Sequence, residues 1–141
     1  MWIVYAILSA VFASLTAILS KIGMAGINAN LATAIRTVVV LFLAWLLVFF
    51  SGQHHNLGSL TKQNWIFLIL SGIATGLSWL FYFHALQAGD ASVVVPIDKF
   101  SVVITMVLAF LFLNEKMDVQ KLIGGGLITL GTLVLVIKWP F

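Results

Sequence analysis

Five apolar stretches, approximately residues 2–21, 31–50, 65–87, 92–113 and 120–138, take up most of this chain. Each is about as long as the ~20 helical residues that cross a ~30 Å hydrocarbon core. The expected fold class is an all-α integral membrane protein, a bundle of five transmembrane helices. Little chain is left for anything else. The longest connection, 51–64, is polar and too short for a domain, and Gly89 and Asp90 form a tight turn before the fourth run. Any activity must therefore sit among the helices, in a single domain spanning 1–141.

Composition agrees. Hydrophobic residues make up 62% and charged residues 8%, and the mean hydropathy is +1.18, far from the balance of a soluble domain. A net charge of +3 would suggest nucleic acid in a soluble protein. Here Lys62, Lys116, Lys121 and Lys138 fall at or near helix ends, where snorkelling and topology explain them, so no nucleic-acid partner is expected. With no cysteine there is no disulfide, thiolate metal site or cysteine nucleophile. His54 and His55 read as solvated loop residues, and neither a metal nor a cofactor is expected. The first run lacks a basic leader and a small-residue cleavage site, so it reads as a retained first helix rather than a signal peptide.

The helices are punctuated by Gly23, Gly26 and Asn28, by Ser51 and Gly52, by Gly89 and by Asn114, with Asp118 as N-cap of the fifth. Trp2, Trp45, Trp65 and Trp139 fall near predicted ends, as interfacial aromatics do. Trp79 departs from that belt. It lies mid-helix with Tyr82 one turn on, and it reads either as an aromatic packed between helices or as one facing a substrate.

An odd number of crossings places the two ends on opposite sides of the membrane. Lys62, Lys116 and Lys121 lie on the side of the N-terminus; Lys21 and Lys138 lie on the other, with Arg36 and Lys99 deeper in that half. Such a small bias fixes no orientation under the positive-inside rule, and insertion both ways round is the resulting hypothesis.

A charge near the bilayer centre costs at least ~2.5–3.5 kcal/mol, so ionisable residues inside a span need a partner, a protein interior or water. Arg36, Asp98 and Lys99 all fall about 9 Å below the same surface at 1.5 Å per residue, and Lys21 and His84 close that half. We expect Asp98 to pair with Arg36 or Lys99. Consecutive residues stand about 100° apart on a regular helix, which favours Arg36. Asp98, Ser101, Val102 and Thr105 share a face, a stripe suited to a polar solute or a proton. The bland alternative stays open: Ser and Thr often bond their own backbone, and an Asp–Arg pair can merely join two helices. Pro96 removes a backbone donor and releases the carbonyl of Ser92, as in broken transporter helices, or else is a simple first-turn proline. Gly72 and Gly76, with Gly124 and Gly131, predict close helix contacts within or between subunits. No nucleophile with a base, paired carboxylates or metal-ligand spacing is present, so the chain does not read as an enzyme.

The segment ALQAGDASVVVPI (85–97), followed by FLFLNEKMDVQKLIGGGLITLGTLVLV (110–136), resembles the signature half of EamA-type proteins of the drug/metabolite transporter superfamily. The Lys21 and Asn30–Arg36 stretches and the five-helix length look like its short, single-domain bacterial members. The resemblance implies a transporter built from two five-helix units of opposite orientation, so a lone unit would need a second copy. An antiparallel homodimer agrees with the weak charge bias and restores the inverted repeat that alternating access uses. The expectation is a secondary transporter in the bacterial plasma (inner) membrane, exporting a small polar or amphipathic metabolite. Asp98, Arg36, Lys99, Ser101, Thr105, Trp79, Tyr82 and His84 would line or support the path. The alternative is a non-transporting structural or regulatory membrane subunit.

Overall fold

The computed structural model describes residues 1–137; Lys138 and Trp139, expected at the end of the last helix, lie outside them. Five helical spans are long and apolar enough to cross a membrane: Trp2–Gly23, Ala29–Phe50, Lys62–Ala88, Ala91–Leu113 and Val119–Val136. The first three are α1, α2 and α3. The fourth divides into α4 (Ala91–Asp98) and α5 (Ser101–Leu113), and the last is α6 (Val119–Val136). No strand occurs among the described residues. The all-α membrane architecture read from the apolar runs is thus the one observed.

Local chemistry sets most boundaries. Asn28 accepts a hydrogen bond from the Asn30 amide at 2.8 Å and starts α2. Asp118 accepts from the Lys121 amide at 2.8 Å and starts α6, as expected of an N-cap. Asn114 ends α5 in the left-handed region at φ 53°, a conformation its short polar side chain tolerates. Two boundaries differ from the sequence reading. The 51–64 connection contains a 3-10 helix, Gln53–Ser59, closed on itself by Asn56 donating to Gln53 at 2.7 Å. α3 begins three residues earlier than expected, because Thr61 Oγ1 accepts from the Asn64 amide at 3.2 Å and draws Lys62–Asn64 into the first turn.

The chain forms two compact units, Met1–Gln87 and Ala88–Phe141. In the first, buried residues gather around the α1–α2 turn and the end of α3: Ser20, Met24, Ala29, Thr33, Phe83 and Leu86. In the second, α6 packs on both α4 and α5. Between 0% and 11% of each span's apolar window is buried, leaving apolar surface for lipid or another apolar partner to cover.

The glycines of the spans differ in their surroundings. A Cβ built on Gly72, Gly76, Gly124 or Gly131 would meet nothing within 4 Å, so these positions make no close helix contact among the described residues. The tight contact falls one residue on, at buried Gly125, whose Cβ would lie 3.3 Å from Met106 Sδ. Spacing alone could not distinguish Gly125 from its neighbours in a three-glycine run.

Candidate functional site

The interruption of the fourth span is built from Pro96 outward. Pro96 lies inside α4, beyond the first turn, which closes the first-turn alternative. After it, the Phe100 amide donates to Ile97 at 3.0 Å, one residue short of α spacing. The Pro96 carbonyl instead accepts from Thr132 Oγ1 of α6 at 3.3 Å, a hydroxyl shared with its own Ile128 carbonyl at 2.8 Å. Lys99 and Phe100 form the turn between α4 and α5.

At that turn Lys99 Nζ lies 3.6 Å from Asp98 Oδ2. Of the two partners expected for Asp98, this one is Lys99, its neighbour in the same unit. The ~100° between consecutive helix positions is spanned by the long, flexible stem of Lys99. The pair is longer than a hydrogen bond, and its side chains are 37% (Asp98) and 53% (Lys99) exposed. Charges that open inside a membrane-length span require water or a polar partner there.

The hydroxyl stripe continues down α5. Ser101, Val102 and Thr105 line a cleft of about 360 Å³, whose lining also includes Glu115 and Lys121. Asp98 is not part of that lining. Glu115 and Lys121 pair at 3.4 Å, and Lys121 Nζ donates to the Lys116 carbonyl at 3.0 Å. This pair had not been anticipated; its signal is opposite charge on either side of the Asp118 cap.

In the first unit, Lys21 of α1 donates to the Leu86 carbonyl at 2.6 Å and, more weakly, to Gln87 at 3.4 Å. These are among the last carbonyls of α3, which lack intrahelical donors. Gln87 Nε2 returns the tie, donating to Ile27 at 2.6 Å and Met24 at 3.4 Å in the α1–α2 turn. Arg36 stands over the ring of Phe83, its guanidinium carbon 4.0 Å from the centroid. Arg36 also walls a cleft of about 400 Å³ lined mostly by apolar side chains of α1 and α2.

Of the aromatic candidates, Trp79 and Tyr82 are half-buried, and Tyr82 meets Phe83 edge to face at 5.0 Å. His84 is exposed, and its Nδ1 lies 2.8 Å from the Leu80 carbonyl, which assigns the proton to Nδ1 in the neutral ring. Phe83 and Gln87 were missed in the sequence: Phe83 is one apolar residue among many, and only the polar amide near the end of an apolar run marked Gln87.

The EamA-like transporter family model matches residues 1–137. An uncharacterized transporter in the cobO 3′ region of a Sinorhizobium species is 45% identical over 136 residues, covering 96% of both chains. An uncharacterized protein of Methanocaldococcus jannaschii is 35% identical over 72 residues, 51% of this chain and 53% of its own. No solved structure matches. A family match across nearly the whole chain and a transporter relative of the same length, together with five membrane-length helices, lead to one conclusion: the chain belongs to the EamA-like transporter family.

Proposed function

We propose that this protein is a secondary transporter that exports a small polar or amphipathic metabolite by alternating access, as an antiparallel homodimer in the bacterial inner membrane. The observation that carries the reading is the interrupted fourth span, with an exposed Asp98–Lys99 pair at the break. Discontinuous helices whose unwound turn carries polar groups are how many transporters place a solute or ion site within the bilayer. Asp98 and Lys99 act at that break, Ser101 and Thr105 continue a polar lining, and Arg36, Trp79, Tyr82 and His84 serve the path from the first unit. The open faces around Gly72, Gly76 and Gly131 suit close approach of a second copy. Residues 1–141 act as one domain in this scheme.

Two measurements test it. In proteoliposomes with an imposed pH gradient, wild-type protein should show solute-dependent flux against a panel of amphipathic metabolites. Asp98→Asn should lose that flux, or its pH dependence, while still assembling. Normal flux from this variant at every pH removes Asp98 from the mechanism; lost assembly with no flux in the wild type favours a packing subunit. Because the chain has no cysteine, Ser59→Cys and Ala91→Cys can each be labelled in intact cells with an impermeant thiol reagent. Partial labelling of both variants is expected for two orientations; labelling of one alone ends the antiparallel model.

A further inference from the structure

Residues 1–87 contain Lys21, Arg36 and Lys62 but no aspartate or glutamate. Within the first compact unit, therefore, no carboxylate neutralises Arg36. The guanidinium lies in α2, about 10 Å along the helix from its start at 1.5 Å per residue. Phe83 covers its face at 4.0 Å, which stabilises the charge but satisfies none of the N–H donors, all of which lie in the guanidinium plane. Nη1 is shut off from the surface and finds no hydrogen-bond partner among the described residues. The Ala29 and Thr33 carbonyls of the same helix accept from the hydroxyls of Thr33 and Thr37. A stacked, incompletely bonded guanidinium within a span is costly unless something arrives to complete it.

What could arrive is set by the cleft that Arg36 walls. Its volume, about 400 Å³, is within the ~300–1,000 Å³ range of small-molecule sites. Its other walls are largely apolar, including Leu19, Met24, Ile27 and Ile35, with the hydroxyls of Thr16 and Ser20 as further polar groups. We infer that this cleft binds an amphipathic organic anion, a single carboxylate or similar acidic head on an apolar body, with Arg36 holding the head. The inference rests on the transporter reading for the role of the site, but not for its chemistry. A free solute and the acidic headgroup of a lipid share that chemistry.

The test is equilibrium binding of radiolabelled 4-methylpentanoate to the full chain in phosphatidylcholine nanodiscs. Saturable binding is expected, competed by the unlabelled carboxylate and not by 4-methylpentanamide. Arg36→Gln should weaken it by about tenfold or more, the scale of a lost charged contact, and Arg36→Lys by less. The amide contrast is made on wild-type protein, so it holds even if Arg36→Gln fails to fold. Absence of saturable binding, equal competition by the amide, or wild-type affinity in Arg36→Gln overturns the inference. Repeating the measurement with phosphatidylglycerol in the disc separates the sources: displacement of the probe assigns the anion site to a lipid headgroup, and undiminished binding assigns it to a solute. Solute flux without Arg36-dependent carboxylate binding sinks this inference alone. Carboxylate binding without any flux sinks the transporter reading alone.

Discussion

Lys21→Met isolates the tie between α1 and the end of α3. Methionine keeps an apolar stem of similar reach and removes the ammonium. The carbonyl it abandons belongs to Leu86, the most completely buried side chain described, where water replaces a lost donor poorly. A hydrogen bond from a charged donor contributes ~1.5–3 kcal/mol net, and a cation at a helix C-terminus adds ~0.3–1 kcal/mol at an exposed site. The second contact, to Gln87 at 3.4 Å, is near the geometric limit and adds little. Because Lys21 is only part-buried, the expected loss stays near ~1.5–3 kcal/mol, roughly a 10- to 150-fold fall in the folded-to-unfolded ratio. The assay is unfolding in mixed micelles at rising dodecyl sulfate fraction, followed by tryptophan fluorescence. Hydrogen exchange should also quicken in the last turn of α3 and the α1–α2 turn. Lys21→Arg should retain most of the stability. A Lys21→Met protein within ~0.5 kcal/mol of wild type, the range of ordinary surface changes, refutes the cap.

Phe83→Leu keeps an apolar side chain but removes the ring face under Arg36, and should cost ~0.5–2 kcal/mol beyond the packing loss seen in an Arg36→Gln background; additive losses in that double-mutant cycle exclude the contact. Asp118→Ala should lower stability by ~0.5–2 kcal/mol in the same unfolding assay, by deleting the α6 N-cap. Gly125→Ala should be nearly neutral, because the 3.3 Å contact is with the flexible Met106 thioether, whereas Gly125→Leu should cost ~1–3 kcal/mol through overpacking. Equal effects of leucine at Gly125 and Gly124 in detergent would show that Gly125 is not the packed position.

The spans were legible because hydrocarbon thickness converts directly into a run of apolar residues, and the helix ends at Asn114 and Asp118 because each is a local hydrogen-bond or backbone preference; Asn28 was read as a stop after the first helix, whereas its side chain caps the start of α2. The break after Asp98 was only half legible. Pro96 announced a missing donor, but where the helix resumes depends also on Thr132, 36 residues away, taking up the Pro96 carbonyl. Helical periodicity also disfavoured Lys99, which nevertheless lies 3.6 Å from Asp98 because its long, flexible stem spans the angle between consecutive positions. Glycine spacing left Gly125 unmarked for a related reason: three consecutive glycines present three faces, and only packing against Met106 selects Gly125.

Arg36 illustrates a signal present in the sequence yet hidden by a whole-chain charge count. The net charge of +3 looks like a mild, distributed excess. Divided at the boundary between the two compact units, it is neither mild nor distributed. Residues 88–141 carry four lysines, Lys99, Lys116, Lys121 and Lys138, against four acids, Asp90, Asp98, Glu115 and Asp118, and are neutral. The entire excess is in residues 1–87, as three cations without one acid. Lys62 opens α3 near a span end, where solvent carries its charge, and Lys21 spends its donors on helix carbonyls. Arg36 sits within a span, stacked on Phe83, with Nη1 buried and unbonded. A cation kept only to hold helices together is best matched by an acid in the same folding unit, since an unmatched charge inside a span weakens the packing it would serve. One kept for an anionic ligand must instead lack a resident acid, because a permanent partner would compete with each ligand that came to bind.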